Sequence, residues 1–262
     1  MQLADLGSIK LHYRMDGDPR GKPVVFANSL GTDLRLWDRV LPLLPPQNCY
    51  IRYDKRGHGL SECPPAPYRM GTLVRDVELL LDHLQVRDAL FVGLSIGGMI
   101  AQGLAVKRLD LVRAMVLSNT GAKIGQPAMW ADRIHAVEQG GIQALSQATL
   151  DRWFPAEFHK TDDFHLLKHM LEHQPPQGYM GCSAAISGTD FYTPTSGLRL
   201  PTLGIAGSED KSTPPDLVRE TVDLIPGSQF QLIRKAGHLP CVDKPAEYAA
   251  ILTSFMEQIG HV

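Results

Sequence analysis

A serine between glycines is the strongest chemical signal in this chain. Ser95 lies in a Gly-Leu-Ser-Ile-Gly motif at residues 93–97, after the apolar run 89–92 and before an apolar, helix-like segment. Glycines allow a tight strand-to-helix turn, which exposes the serine hydroxyl beside a helix N-terminus that favours developing negative charge. We therefore predict that Ser95 is a nucleophile that attacks a carbonyl group. A plain glycine–serine turn is the alternative, and the flanking strand and helix disfavour it.

A serine hydroxyl needs a base, and that base needs an orienting carboxylate. The predicted strand 203–206 runs into a Gly-Ser-Glu-Asp sequence that carries Glu209 and Asp210. The predicted strand 230–233 is followed by a Gly-His turn that carries His238. Both loops come at the carboxyl ends of strands, the edge where open α/β sheets place their sites. The chain order serine, acid, histidine is the order found in α/β-hydrolases.

Two backbone N–H groups are expected to bind the negative charge that the attack places on the carbonyl oxygen. On an α/β-hydrolase fold, one belongs to the residue after the nucleophile, here Ile96. The other comes from the loop after the third strand, which reads Asn-Ser-Leu-Gly-Thr here, and we assign it to Leu30. Many α/β-hydrolases have His-Gly where this chain has Asn28 and Ser29, so we expect Asn28 to supply the hydrogen bonds of that histidine.

The elements that must position these residues alternate between short apolar runs and helical patterns. This alternation predicts an α/β fold with a mostly parallel central sheet and helices on both faces. Residues 123–187 carry helical patterns only, and we interpret them as a helical cap that is inserted after the sixth strand of an α/β-hydrolase core formed by residues 1–122 and 188–262. The predicted strands are 9–14, 23–27, 49–53, 89–92, 112–117, 201–206 and 229–233.

Composition excludes several other classes of protein. The formal net charge of −2 over 262 residues gives no basic face for nucleic acid, and no apolar run is long enough to span a bilayer. The N-terminus lacks a signal peptide, so we expect a cytoplasmic protein, either a monomer or a small homo-oligomer. The four cysteines form no CxxC pair, which predicts free thiols and no metal site.

Several segments resemble the 3-oxoadipate enol-lactonases of the α/β-hydrolase superfamily, and the likeness covers nearly the whole chain. They are residues 28–38, 53–61, 93–98 and 237–241, together with the cap helix that carries Met129, Trp130, Arg133 and Ile134. The resemblance implies hydrolysis of an enol-lactone to 3-oxoadipate in bacterial degradation of protocatechuate or catechol, without a metal or organic cofactor. It also implies that Asp210, rather than Glu209, is the acid that orients His238.

The implied substrate is a small anionic lactone, so the pocket should hold a cation. Arg133 follows Trp130 by three residues and therefore shares its helix face, and we predict that both residues line the pocket. A solvated arginine beside a core tryptophan is the alternative. Asn28 and Ser29 are further substrate-binding candidates. Weaker candidates for the cation are Lys123, Arg152 and Lys211.

Two rival interpretations remain at this point. The first is another cofactor-free serine hydrolase on the same fold, namely a carboxylesterase, a haloperoxidase or a carbon–carbon bond hydrolase. Haloalkane dehalogenases and epoxide hydrolases are disfavoured because they use aspartate where this chain has Ser95. The second rival is a non-catalytic ligand-binding protein on a hydrolase scaffold, which a complete set of serine, histidine and acid argues against.

Overall fold

A single mixed sheet forms the centre of the protein. The computed structural model describes residues 2–262, and within them eight strands pair in the order β1-β2-β4-β3-β5-β6-β7-β8. Strand β2 pairs antiparallel with β1 and β4, whereas all pairs from β4 to β8 are parallel, which confirms the predicted sheet. The strands are β1 (Gln2–Asp5), β2 (Lys10–Gly17), β3 (Pro23–Ala27), β4 (Cys49–Tyr53), β5 (Ala89–Leu94), β6 (Val112–Ser118), β7 (Thr202–Gly207) and β8 (Gln229–Ile233).

Helices flank this sheet, and proline occupies the first turn of half of them, where its missing N–H removes no hydrogen bond. The helices are α1 (Met70–His83), α2 (Ile96–Lys107), α3 (Pro127–Gly140), α4 (Gln143–Trp153), α5 (Asp162–Glu172), α6 (Pro176–Ser187), α7 (Tyr192–Ser196), α8 (Pro215–Asp223), α9 (Pro240–Asp243) and α10 (Pro245–Gln258). Helix α2 is buried along most of its length because it packs against β3, β5, β6 and α1. This packing fixes the turn that leads from β5 into α2.

Five of these helices lie between β6 and β7, and four of them, α3 to α6, are within the stretch 123–187 that was predicted to be the cap. They pack on one another through apolar side chains such as Trp153, Phe154 and Phe164, and the same hydrophobic cluster continues into the sheet. Strand β1 was not predicted, because only Ala4 of its four residues is buried and an apolar pattern is therefore missing. None of the described helices is long and apolar enough to cross a membrane.

The four cysteines are free thiols in the structure: Cys49, Cys182 and Cys241 are buried, and Cys63 is exposed. Across residues 2–262, no three side chains of histidine, cysteine, aspartate or glutamate are grouped so that they could hold a metal ion.

Candidate active site

Ser95 occupies the turn between β5 and α2 in a conformation that non-glycine residues rarely adopt, with φ of 57° and ψ of −119°. Such backbone strain is found at functional turns, where the surrounding structure maintains it. A Cβ on Gly93 would lie 2.3 Å from the carbonyl oxygen of Gly97, and a Cβ on Gly97 would lie 2.1 Å from that of Ala27. The two glycines are thus required by close backbone approach, and Ser95 borders a cavity that residues of α3, α4 and α6 also line.

His238 and Asp210 meet at this cavity. The Nδ1 atom of His238 lies 2.9 Å from Oδ2 of Asp210, and both side chains are almost fully buried, whereas Glu209 is exposed. Asp210 Oδ2 also accepts hydrogen bonds from Asn119 Nδ2 at 2.9 Å and Thr213 Oγ1 at 2.7 Å. Burial alone would raise the pKa of Asp210, but the adjacent His238 and these hydrogen bonds outweigh it and lower that pKa. The carboxylate therefore stays ionised beside the imidazole.

The other imidazole nitrogen, Nε2 of His238, is 3.4 Å from Ser29 Oγ. Ser29, Ser95 and His238 all line the same cavity, although no hydrogen bond joins Ser95 to His238 within the described residues. Catalytic hydrogen bonds are commonly long without substrate and tighten when it binds. Nδ1 of His238 thus contacts the carboxylate of Asp210, and Nε2 faces the hydroxyl group of Ser29 in the cavity.

The predicted oxyanion-binding groups are the N–H groups of Leu30 and Ile96. Neither donates to an acceptor within residues 2–262, and Leu30 lines the cavity. Ile96 is the first residue of α2, where N–H groups have no partner inside the helix. The loop that carries Leu30 is fixed by Lys55, whose ammonium donates to Ser29 O, and by His58, whose Nε2 accepts the N–H of the following glycine at 3.0 Å.

Asn28 was predicted to bind the substrate, but the structure places its side chain against the core. The Asn28 side chain donates from Nδ2 to Tyr53 O at 2.9 Å and accepts from Trp37 Nε1 at 2.7 Å. Asn28 is absent from the cavity lining because both ends of its amide are held by the core. It therefore orients the loop and does not face the substrate, a side-chain direction that sequence alone does not give.

Two arginines from the cap face the cavity without a carboxylate partner. Arg133 donates from Nε to Tyr179 OH at 2.8 Å, and its guanidinium lies 5.8 Å from the ring of Trp130. Both Arg133 and Arg152 donate to Thr149 Oγ1, and neither forms a salt bridge with any described residue. Burial and the nearby charge of Arg133 lower the pKa of Arg152. A cavity with two uncompensated guanidinium groups favours an anionic ligand.

The two candidate lysines are placed differently. Lys211 lies at the cavity with its side chain exposed, beside the loop that carries Asp210. Lys123 is absent from the cavity lining and forms a salt bridge with Asp190 at 3.2 Å. Lys123 is therefore excluded as a ligand of a substrate in this cavity.

Helix α4 is hydrogen-bonded to the loop that carries His238 and to the loop that carries Asp210. The N–H of His238 donates to Trp153 O at 2.7 Å, and the N–H of Lys211 donates to Arg152 O at 3.3 Å. The indole of Trp153 also stacks on the imidazole of His238, with ring centroids 6.2 Å apart and planes inclined by 26°. Helix α4 thus contributes directly to the orientation of the imidazole.

Three residues that contact this pair were not predicted from the sequence. Asn119 follows β6 directly, so the rule that sites lie at the carboxyl ends of strands would have found it. Thr213 lies three residues after Asp210 in a short loop, where it bonds both members of the pair. The sequence did not indicate a functional role for Trp153, because an apolar residue in a helical pattern is most simply interpreted as part of the hydrophobic core.

Comparisons with known proteins show the family of this chain. Residues 24–251 match the sequence profile of the alpha/beta hydrolase family. The chain is 31% identical to 3-oxoadipate enol-lactonase 2 of Acinetobacter baylyi, over 96% of this chain and 95% of that protein. The crystal structure of the enol-lactonase from Burkholderia xenovorans LB400 aligns with a TM-score of 0.94 at 32% identity, covering 98% of this chain and 100% of that chain. A hydrolase from Pseudomonas aeruginosa PA01 has the same TM-score at 34% identity, covering 97% of both chains.

Proposed function

This chain belongs to the alpha/beta hydrolase family and is an ester or lactone hydrolase, and from that premise we propose that it opens the ring of 3-oxoadipate enol-lactone to give 3-oxoadipate. The printed names of its enol-lactonase relatives support this substrate. We assign the reaction to bacterial degradation of protocatechuate or catechol, as the sequence resemblance implies. The proposed steps use protein groups and water only.

One observation carries the choice of substrate. Arg133 and Arg152 lie without carboxylate partners, among the described residues, in the cavity that also contains Ser95 and His238. The enol-lactone carries a carboxylate, which a guanidinium binds through charge-assisted hydrogen bonds. A neutral ester would leave both guanidinium charges uncompensated in a partly buried cavity, which costs binding free energy. The arginines therefore favour an acidic lactone over a simple ester.

The proposed reaction begins when Ser95 Oγ attacks the lactone carbonyl carbon. His238 Nε2 accepts the hydroxyl proton, and Asp210 holds the opposite nitrogen and stabilises the imidazolium. The Leu30 and Ile96 N–H groups donate to the oxyanion. When the tetrahedral intermediate collapses, the bond to the ring oxygen breaks and His238 returns the proton to that enol oxygen.

The leaving group stays attached to the enzyme, because opening a ring gives one product. The freed enol becomes a ketone by moving a proton from oxygen to carbon, which makes the step hard to reverse. Water then attacks the acyl-serine as His238 takes its proton, and the same two N–H groups bind the second oxyanion. Collapse of this intermediate releases 3-oxoadipate and regenerates the Ser95 hydroxyl.

The test of this proposal is the variant Arg133→Met. Losing a charge-assisted hydrogen bond costs about 1.5–3 kcal/mol, so kcat/KM for the enol-lactone should fall about 10- to 150-fold, while a neutral aryl ester should be cleaved almost as before. A spectrophotometric assay of both substrates gives the two ratios. Arg152→Met should show the same selectivity if the two guanidinium groups share the carboxylate.

A matched control is Arg14→Met, because Arg14 is an exposed residue of β2. It should leave both activities unchanged. Equal losses on the lactone and the ester in Arg133→Met would contradict the proposed substrate contact, and would mean that Arg133 supports the cap through Tyr179 and Thr149.

A further inference from the structure

Lys55 is the one fully buried lysine in the part of the chain that the structure describes. It follows β4 and lies beneath the loop that carries Leu30. Its ammonium forms no salt bridge with any residue of 2–262 and donates instead to two backbone carbonyl oxygens, that of Ser29 at 2.7 Å and that of Thr32 at 3.1 Å. Burying a cation against neutral acceptors is costly, so its position calls for a functional reason.

The acceptor at 2.7 Å is the carbonyl of the peptide group that links Ser29 to Leu30. This peptide bond is trans, since the one cis bond of the described chain is elsewhere. In a trans peptide the C=O and N–H groups point in opposite directions. Lys55 is therefore on one side of this group, and the Leu30 N–H points to the other, where Leu30 borders the cavity.

We propose that Lys55 is a positioning residue of the catalytic reaction, which holds and polarises the Ser29–Leu30 peptide so that its N–H stabilises the oxyanion. This inference rests on the proposed function of the same site. A hydrogen bond to a peptide oxygen strengthens the donor at the other end of that peptide, and a positive donor does so most. The ammonium is also a fixed positive charge one peptide group away from the developing negative charge.

The neighbouring His58 is consistent with this role. Burial, together with the charge of Lys55, lowers the pKa of His58 well below its usual value. His58 is thus neutral, and its Nε2 has the lone pair that accepts the N–H of Gly31 at 3.0 Å. Two consecutive peptide groups of the loop are therefore fixed by side chains of the 54–59 loop.

None of the charged and titratable groups around Lys55 in residues 2–262 forms a direct ion pair with its ammonium, although Asp54 and Asp33 attract it. Asp54 accepts hydrogen bonds from two backbone N–H groups and pairs with His12, and Asp33 pairs with Arg35. Cys182, from α6, is buried with a raised pKa and is therefore a neutral thiol. Burial lowers the pKa of Lys55 to about 8. Mild base would thus remove the charge while the neutral amine keeps N–H groups for both carbonyls.

The experiment compares Lys55→Met, Lys55→Gln and the control Lys22→Met. Lys22 also donates to two backbone oxygens, those of Gly260 and Val262, but it is an exposed residue that precedes β3, at the opposite end of that strand from the Leu30 loop. Removing an oxyanion donor outright costs about 10²–10³ in kcat, so losing its polarisation should cost roughly 10- to 30-fold. We expect this loss in kcat for both Lys55 variants, with KM nearly unchanged and Lys22→Met like wild type.

Two measurements distinguish polarisation of the Ser29–Leu30 peptide by Lys55 from a purely structural role in holding the loop. A boronic acid, whose adduct with serine is an anionic tetrahedral species, should inhibit the Lys55 variants about 10- to 30-fold more weakly. The wild-type kcat should fall as the pH rises through about 8, because Lys55 loses its charge there, and both variants should lack this basic limb. Wild-type kcat and an unchanged basic limb in Lys55→Gln would overturn the inference, as would a loss of kcat without weaker boronic acid inhibition.

The assays use the enol-lactone and an aryl ester in parallel, so that two failures stay distinct. If wild type cleaves only the ester and the Lys55 effects persist, the proposed substrate is wrong and the role of Lys55 stands. If wild type opens the lactone and the Lys55 variants are indistinguishable from it, the proposed function stands and the role of Lys55 is wrong. If Lys55→Met does not fold, as judged by circular dichroism, the proposed role of Lys55 is tested by Lys55→Gln and by the wild-type pH profile.

Discussion

Replacing Ser95 with alanine should abolish turnover, with kcat falling by about 10⁶, because the variant lacks the hydroxyl that forms the proposed acyl intermediate. His238→Ala should cost about as much, since serine and histidine act as a unit and the loss of either removes the same step. Steady-state and single-turnover assays of the purified variants measure both losses. Labelling of Ser95 by a fluorophosphonate should disappear in Ser95→Ala, while circular dichroism shows an intact fold.

Ser29→Ala is the matched control, because Ser29 carries the other hydroxyl near His238 Nε2. The Leu30 N–H and the carbonyl that Lys55 binds are backbone groups, so this variant should retain at least a tenth of the wild-type activity. If Ser29→Ala were inactive and Ser95→Ala active, the assignment of the nucleophile would be wrong.

Asp210→Asn is expected to lower kcat by about 10⁴, since an amide at this position favours the wrong tautomer of His238. The carboxylate now accepts the Nδ1 proton at 2.9 Å, which leaves Nε2 free to act as a base. An asparagine whose nitrogen faces Nδ1 would reverse this arrangement. The measurement is kcat at a pH where the wild-type rate is maximal.

Glu209→Gln serves as the control for this variant. Glu209 is the adjacent acid in the same loop but is exposed, so its replacement should leave kcat within about twofold of wild type. A severe loss in Glu209→Gln with a mild one in Asp210→Asn would mean that the wrong carboxylate has been assigned to His238.

The sequence predicted which loops meet because that information is local. A strand is visible as an apolar run, and parallel strands bring their carboxyl ends to one edge, so the loops of Ser95, Asp210 and His238 were expected to converge. The direction of a side chain within a loop depends on tertiary contacts, so local sequence does not predict it. Asn28 was expected to face the substrate, but its amide bonds Trp37 and the backbone of β4.

Contacts between the helices of residues 123–187 and the rest of the protein also could not be predicted from the sequence. The helical pattern of α4 identifies a helix but does not give its orientation, so the stacking of Trp153 on His238 had no local signal. Lys55 was likewise hidden, since a lysine after a strand is usually solvated and its burial depends on the loop that covers it. The positions of both residues depend on contacts between segments that are distant in the chain, so local sequence does not predict them.

The two backbone hydrogen bonds from α4 to the loops of His238 and Asp210 have a consequence for unfolding. Because backbone hydrogen bonds join these loops to α4, we expect residues 123–187 and the core to open together as one cooperative unit instead of the helical segment melting first. In native-state hydrogen exchange, the amides of His238 and Lys211 should exchange as slowly as those of β7. A deletion that removes α4 should therefore yield a destabilised chain, and not a smaller hydrolase with an open site.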